Sequence, residues 1–131
     1  MNILVDSHIL IWLLVHPKNL SKKQIQIILE PSNNIFVSSV SLWEISLKYS
    51  LGKLYIDKIT PEDIFEEIEK SGFDYVELSP EEAATIHKLP KTKHKDPFDR
   101  MLIWQSIQRN FVFMTNDKSF GEYTEYRLKI I

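Results

Sequence analysis

A chain of 131 residues with 44% hydrophobic and 26% charged side chains has the size and composition of one globular domain with a buried core. Its net charge of −2 excludes a surface that attracts nucleic acid as a whole, so a polyanion needs a local basic patch or a metal ion. The absence of cysteine excludes disulfides and thiolate metal sites and is typical of a reducing cytoplasm. The apolar run 9–15 is too short for a signal sequence or a membrane span. We therefore expect a single domain over residues 1–131, located in the cytoplasm.

Short apolar runs alternate with helical patterns along the chain. The predicted strands are 3–5, 35–37, 73–78, 111–114 and a short last strand at 128–131. The predicted helices are 7–15, 21–30, 41–51, 60–71, 79–88 and 96–108. Ser21 and Gln24 fit a capping box, and Gly52 and Gly72 are expected to end helices. This alternation predicts an α/β fold with a mainly parallel sheet covered on both faces.

Four acidic residues lie where an apolar run ends or a helix begins: Asp6, Glu44, Asp99 and Asp117. Buried carboxylates need a partner, and no run of Lys or Arg accompanies all four. A divalent cation would neutralise them, and oxygen ligands favour Mg²⁺ or Mn²⁺. Parallel sheets bind ligands outside the carboxyl ends of their strands, where one crevice can collect all four side chains.

Each acidic position also has a structural explanation. In chain order these are Asp6 as an N-cap, Glu44 in a capping box with Ser41, Asp96 as an N-cap followed by Pro97, and Asp117 in a turn. A cap explains Asp99 less fully. Asp96 and Asp99 are three residues apart on one helical face, where two carboxylates can share a metal.

Five segments carry the acidic residues and their surroundings: 3–8 with 10–12, 37–45, 51–54, 94–103, and 115–117 with Phe120 and Tyr123. The most specific of them contains Asp96-Pro97-Phe98-Asp99-Arg100. Taken together and in this order, these segments resemble the PIN domain, in particular the VapC-type ribonuclease toxins of toxin–antitoxin systems. Trp104 and Ser106 depart from the small residues that similar proteins often carry, which affects helix packing more than chemistry.

The resemblance implies three layers, with helices on both faces of a four- to five-stranded sheet. It also implies a Mg²⁺- or Mn²⁺-dependent endoribonuclease, a homodimer, and a cognate antitoxin protein that inhibits it. The residues that match the catalytic and metal-binding quartet are Asp6, Glu44, Asp99 and Asp117. The residues that match supporting positions are Asp96, Ser7 and Thr115.

The ligand set indicates that a water activated by one or two cations cleaves the phosphodiester bond. Glu44 is either a further ligand or the base that orients the water, and no histidine is expected among the quartet. RNA binding is assigned to the loop residues Lys91, Lys93 and Lys95, with Arg100, although such a charge run is commonly only solvated.

The aromatic residues Trp12, Trp43 and Tyr49 are expected in the core, with a dimer contact or an antitoxin groove as the alternative. A catalytically silent PIN-like module that dimerises and captures an antitoxin or nucleic acid is the main alternative function. An aspartyl-phosphate enzyme is disfavoured because His8 stands where a second Asp is needed. A receiver-like domain is disfavoured because Asp6 has no acidic neighbour.

Overall fold

The computed structural model describes residues 1–131, which form five strands and six α-helices. The strands are β1 (Asn2–Val5), β2 (Asn34–Ser38), β3 (Asp74–Val76), β4 (Val112–Met114) and β5 (Lys129–Ile130). The α-helices are α1 (Ser7–Val15), α2 (Lys22–Leu29), α3 (Ser39–Ser50), α4 (Pro61–Ser71), α5 (Pro80–Thr85) and α6 (Pro97–Arg109). Three 3₁₀ segments cover Pro17–Asn19, Ile86–Lys88 and Lys118–Tyr126. None of the helices is long and apolar enough to cross a membrane.

The five strands form one sheet in the order β3-β2-β1-β4-β5, and every neighbouring pair is parallel. The chain begins in the centre at β1, extends to one edge through β2 and β3, and then crosses to β4 and β5. The strand order therefore reverses between β1 and β4, and a crevice opens there at the carboxyl ends of the strands. The predicted α/β class is confirmed, although β3 is shorter than the predicted strand 73–78.

Both faces of the sheet are buried, which confirms the three-layer prediction. Ile3 and Val5 belong to one hydrophobic cluster, together with residues of α1, α2 and α4. Leu4 lies between them in sequence and belongs to the second cluster, together with α6 and the 3₁₀ segment Lys118–Tyr126. Successive side chains of a strand point to opposite faces, so β1 contributes to both clusters.

The N-terminus of α3 differs from the prediction. The helix begins at Ser39, and its N-cap is Ser38, whose Oγ accepts a hydrogen bond from the Val40 N–H. The predicted capping box between Ser41 and Glu44 is therefore wrong, because β2 runs directly into the helix and Ser38 is the first residue able to cap it. By contrast, the capping box of Ser21 and Gln24 is confirmed. Gly72 ends α4 in the left-handed region, at φ 72°, as predicted.

Two further features depart from the sequence prediction. The 3₁₀ segment Lys118–Tyr126 was not predicted, although it buries Phe120 and Tyr123. The core assignment is wrong for Trp43, which is 59% exposed, and for Tyr49. Both residues lie on α3, and helical spacing alone does not say which face of a helix meets the sheet. Trp12 is half-buried and packs against the first cluster, as predicted.

Candidate active site

Asp6 lies at the carboxyl end of β1, in the crevice where the strand order reverses. Its backbone N–H donates to the Met114 carbonyl at 3.0 Å, which extends the ladder between β1 and β4 by one residue. Its Oδ1 accepts a hydrogen bond from the Ile9 N–H at 2.8 Å, so Asp6 does cap α1. Its Oδ2 accepts a hydrogen bond from the Thr115 hydroxyl. Asp6 is only 4% exposed, so capping and a buried carboxylate coexist at one position.

Thr115 joins Asp6 to Asp117. Its hydroxyl oxygen donates to Asp6 and accepts from the Asp117 N–H at 3.0 Å. Asp117 begins the 3₁₀ segment, and its Oδ1 accepts from the N–H of Ser119 at 2.9 Å and from the Ser119 hydroxyl at 2.7 Å. The sequence prediction that Thr115 supports the acidic site stays a prediction about function, but this geometry fits that role.

Glu44 projects from α3 and is 3% exposed. Ser7 donates to its Oε1 at 2.6 Å, and Lys48, one turn later, donates to its Oε2. Lys48 also approaches Asp96, with Nζ 3.9 Å from Oδ2. The carboxylate is therefore held by two side chains and partly neutralised by one internal cation.

Asp96 and Asp99 lie at the N-terminus of α6. Asp96 is the N-cap, and its Oδ1 accepts from the N–H groups of Phe98 and Asp99 at 2.9 and 3.0 Å, as predicted. Glu44, Asp96 and Asp99 each offer one carboxylate oxygen, and the three oxygens lie within 4.8 Å of one another. Asp96 is therefore an equal member of this trio by position, whereas the sequence placed it in a supporting role.

His94 belongs to this site, although no histidine was expected there. Its Nε2 lies 2.9 Å from Asp99 Oδ2, and its Nδ1 lies 3.0 Å from Ser119 Oγ. The ring packs on Phe120, with centroids 4.6 Å apart. Because Ser119 also donates to Asp117, a chain of hydrogen bonds links Asp99 to Asp117 across the crevice. The signal in the sequence was the position of His94 two residues before the Asp96–Arg100 segment, within the matched segment 94–103.

The predicted acidic residues thus form two neighbouring groups. Glu44 and Asp99, with Asp96, make the compact trio. Asp6 and Asp117 line one cavity of about 250 Å³, together with His8, Trp12 and Asn116. Ser7, which follows Asp6 and bonds to Glu44, connects the two groups on one side. His94 and Ser119 connect them on the other.

Burial and crowding set the electrostatics of the carboxylates. Burial raises the pKa of Asp6 above its usual value, and the Thr115 and Ile9 hydrogen bonds only partly oppose this. Burial also raises the pKa of Asp99, opposed by the His94 hydrogen bond and reinforced by the charges of Asp96 and Glu44. The Ser119 hydrogen bond holds the pKa of Asp117 below its usual value.

Lys48 responds to the same crowding. Burial alone would lower the pKa of its ammonium, but the hydrogen bond to Glu44 and the nearby carboxylate charges raise it above the usual value. The site therefore carries more negative charge than its own side chains neutralise, which is the condition that favours a bound cation.

The loop before α6 forms a basic cavity of about 330 Å³, lined by Lys91, Thr92, His94, Lys95 and Arg100. Lys93 is exposed and lies outside this lining. The Arg100 guanidinium donates to the carbonyls of Leu89 and Pro90 at 3.0 and 3.2 Å and to the Tyr123 hydroxyl at 3.1 Å. Arg100 therefore clamps the loop to the body of the protein, and this leaves the lysines as the free cations of the cavity.

These features define a class of protein: an α/β domain with a carboxylate cluster at the switch point of a parallel sheet. The family model of the PIN domain matches residues 3–126, so the chain belongs to the PIN domain family. PIN domains are generally nucleases, so this is a nuclease family. A comparison with the curated protein sequences found no match to the chain.

Solved structures share the whole fold at low sequence identity. VapBC2 from Rickettsia felis, bound to a DNA fragment of its promoter, has a TM-score of 0.73 at 18% identity, covering 100% of this chain and 98% of that one. VapBC-1 from nontypeable Haemophilus influenzae has a TM-score of 0.68 at 19% identity, covering 100% and 97%. DNA-bound VapBC from Salmonella typhimurium has a TM-score of 0.64 at 19% identity, covering 100% and 97%.

Proposed function

We propose that this protein is a Mg²⁺- or Mn²⁺-dependent endoribonuclease and the toxin of a toxin–antitoxin pair. The observation that carries the proposal is the trio of Glu44, Asp96 and Asp99, whose oxygens lie within 4.8 Å of one another beside the buried carboxylate of Asp6. Membership of a nuclease family supports the reaction class, and the VapBC structures of the same fold support the toxin role.

The donor set fits a hard divalent cation. All of the donors are carboxylate oxygens, which Mg²⁺ and Mn²⁺ prefer, and no thiolate is present anywhere in the chain. Asp6, Glu44, Asp99 and Asp117 are the proposed ligands, and Asp96 is close enough to act as a ligand or to orient one. When bound, such an ion activates a water molecule and offsets negative charge on the phosphodiester.

The remaining side chains of the site hold these carboxylates in place. Ser7 fixes one oxygen of Glu44, and Thr115 fixes one oxygen of Asp6. His94 fixes Asp99 from the side of the basic loop. Partners that orient ligands in this way typically change metal affinity or activity by about 10- to 100-fold when they are removed.

RNA is the proposed substrate, and the basic cavity beside the trio supports it. Lys91 and Lys95 line this cavity, and His94 connects it to Asp99. Phosphates that flank the scissile bond would contact these lysines, while Arg100 keeps the loop in shape. The net charge of −2 agrees with a local contact rather than a general affinity for nucleic acid.

Neutralising the loop is expected to weaken RNA binding and reduce its salt dependence. The test variant changes three lysines to Gln together: Lys91, Lys93 and Lys95. The slope of log K against log salt should decrease in magnitude by up to about 0.7 for each phosphate contact that is lost. Lys70→Gln, at an exposed site on α4, is the matched control and should leave the slope unchanged. Fluorescence anisotropy over a salt series measures both quantities, and an unchanged slope in the triple variant would exclude this surface.

A cognate antitoxin is proposed as the partner that inhibits the enzyme. The same-fold structures include VapBC complexes and FitAB bound to IR36 DNA. An antitoxin that places an Arg among the acidic residues would satisfy the excess of carboxylates in the same way as a cation. A cytoplasmic location follows from the proposed role and stays a prediction.

A homodimer is proposed through an exposed apolar stripe on α3. Trp43 and Leu47 lie four residues apart on one face of α3, Leu51 follows four residues later as the C-cap of the helix, and all three are exposed. The stripe adjoins an apolar cavity of about 230 Å³ formed by Trp43, Phe98 and five neighbouring residues. Such a continuous apolar surface marks an interaction site on a protein of this size.

Leu47→Glu is expected to convert the dimer to a monomer, because it places a charge in the middle of the stripe. Leu29→Glu, at an exposed apolar position on α2, is the matched control and should remain dimeric. Light scattering after size exclusion measures the mass. A wild-type monomer, or a dimeric Leu47→Glu variant, would contradict the proposed interface.

The proposed activity is tested by incubating the purified protein with single-stranded RNA in Mg²⁺ or Mn²⁺ and in EDTA. RNA cleavage is expected only with the metal, and single-stranded DNA of the same sequence is the control for substrate class. An Asp6→Asn preparation purified in parallel controls for contaminating ribonuclease. Cleavage that persists in EDTA, or at full rate in Asp6→Asn, would refute the metal-ligand assignment.

The catalytically silent binding module is the second candidate, and one observation favours it. Lys48 already contacts both Glu44 and Asp96, so an internal cation stands beside two of the three clustered carboxylates. A silent module would capture its partner without cleaving RNA under any metal condition. The cleavage assay therefore separates the two candidates.

A further inference from the structure

We propose that the cavity formed by His8, Trp12 and Asn116 is a subsite for one nucleobase of the RNA, stacked on Trp12 and read by the Asn116 amide. The proposal rests on the proposed function, since it names the part of the substrate that lies beside the acidic residues. It assigns a base-recognising role to three residues that take no part in metal binding.

The position of the cavity places a base next to the reaction. The cavity holds about 250 Å³, and Asp6 and Asp117 form its remaining lining. It opens at the switch point between β1 and β4, beside the carboxylates of Asp6 and Asp117. A strand with one phosphate at the carboxylates would place a neighbouring base within reach of this cavity.

The wall of the cavity is aromatic. His8 and Trp12 are four residues apart on α1 and so share one face of the helix, with ring centroids 6.2 Å apart. His8 is exposed, and Trp12 is half-buried, with its inner side against the core. Trp12 is the only hydrophobic residue in the lining. A single flat apolar surface among polar groups suits stacking of a base, which single-stranded RNA offers freely.

Asn116 supplies a fixed hydrogen-bond donor. The Gln24 Nε2 donates to its Oδ1 at 2.7 Å, and the Gln24 Oε1 accepts from the Ser21 N–H at 2.9 Å. The capping box of α2 thus sets the orientation of the Asn116 amide. The Asn116 Nδ2 donates no hydrogen bond within the protein, so its donors are free for a ligand.

This orientation predicts a preference among bases. Asparagine usually recognises adenine with its donor and its acceptor together. Here the bond from Gln24 uses one lone pair of the Asn116 Oδ1 and holds that oxygen towards α2, so the Nδ2 donor is the amide group without a protein partner. An N–H donor pairs with the keto oxygen of uracil or guanine, whereas the exocyclic amino group of adenine is itself a donor and only a ring nitrogen of adenine can accept. This favours uracil or guanine over adenine.

Binding of short RNAs tests the subsite without relying on cleavage. The Asp99→Asn background keeps the RNA intact, and fluorescence anisotropy in Mg²⁺ compares oligouridine with oligoadenosine. Trp12→Leu retains an apolar side chain against the core but removes the stacking surface, and should weaken oligouridine binding by about 5- to 100-fold. Trp12→Phe keeps a ring and should recover most of this loss. Tyr55→Leu, at an aromatic residue 85% exposed and outside the cavity, is the matched control and should bind as the background does.

Two further variants test the reading of the base. Asn116→Ala should reduce the preference for oligouridine over oligoadenosine by about fivefold, the effect of one hydrogen bond. Gln24→Ala releases the Asn116 amide to turn and present its acceptor together with its donor, so oligoadenosine should bind more tightly even though residue 24 does not line the cavity. Unchanged oligouridine binding in Trp12→Leu would overturn the subsite. Equal binding of the two RNAs by the background protein would overturn the role of Asn116. The two proposals can fail separately. If RNA binding depends on Trp12 but the wild-type protein cleaves no RNA, the subsite is supported and the proposed nuclease activity is refuted.

Discussion

Asp99→Asn is expected to lower metal-dependent RNA cleavage by about a hundredfold or more. Asp99 is the one carboxylate that belongs to the compact trio and is also tied, through His94 and Ser119, to Asp117. Replacing a ligand removes more than replacing a residue that only orients one, and the latter already changes activity by about 10- to 100-fold. Asn retains an acceptor for His94, so the geometry of the loop should survive.

The matched control is Asp74→Asn, because Asp74 is exposed on β3 and far along the sheet from the crevice. Cleavage by this variant should equal that of the wild type. Initial rates on one RNA, at saturating Mg²⁺, measure the difference. An Asp99→Asn protein that cleaves within threefold of the wild type would remove Asp99 from the metal site.

The same variant should be more stable than the wild type when no metal is present. Burial and the charges of Asp96 and Glu44 raise the pKa of Asp99 in the folded protein. A carboxyl group whose pKa is higher in the folded protein than in the unfolded chain stabilises the fold while it is protonated. This contribution is complete below the pKa of the unfolded chain and is lost as the pH rises through the pKa of the folded protein. The gain in Tm for Asp99→Asn in EDTA should therefore be largest at neutral pH and shrink as the solution is acidified towards the usual Asp range. A lower Tm at neutral pH would contradict this account of the crowded carboxylates.

Lys48→Met is expected to destabilise the metal-free protein strongly. Lys48 is the partner of Glu44, whose side chain is 4% exposed, and the ammonium also approaches Asp96. Breaking a fully buried ion pair costs about 3–5 kcal/mol. Because Lys48 itself is one-third exposed, we expect about 1–3 kcal/mol here.

Thermal unfolding in EDTA and in Mn²⁺ measures this effect. Lys70→Met is the matched control, since Lys70 pairs with Glu67 at an exposed site on α4 and should change Tm little. Added Mn²⁺ should recover more of the Tm in Lys48→Met than in the wild type, because the variant's carboxylates lack their internal cation. Equal metal shifts in both proteins would show that Lys48 and the metal act independently.

Several acidic residues of the site were predictable from local patterns in the sequence. Asp6 and Asp117 follow apolar runs that became β1 and β4, and Asp96 stands before a proline at the start of α6. Their convergence depends on the strand order β3-β2-β1-β4-β5, which alternation of strands and helices does not specify. The switch-point rule supported only the expectation that one crevice collects them. The α/β class and the parallel sheet were predictable because strands and helices alternate along the chain.

Contacts between distant segments were not predictable. His94 meets Asp99 and Ser119 because the loop before α6 packs on the 3₁₀ segment Lys118–Tyr126. Aromatic residues recur every three positions in this segment, as a 3₁₀ helix requires, but that spacing does not say which distant loop the segment meets. The two-residue shift at the start of α3 separated Glu44 from its expected capping role and turned it towards Ser7. The exposure of Trp43 depends on which face of α3 meets the sheet, and spacing alone does not decide that.

The chemistry of the cut ends tests the central claim most directly. If a water activated by metal attacks the phosphodiester, the 2′-hydroxyl of the RNA takes no part and no 2′,3′-cyclic phosphate forms. Mass spectrometry of the fragments produced in Mg²⁺ should therefore find only ends with a linear phosphate or a free hydroxyl, and no fragments in EDTA. Fragments that carry a 2′,3′-cyclic phosphate, or that form equally well in EDTA, would contradict the assignment of Asp6, Glu44, Asp99 and Asp117 to a metal-dependent nuclease.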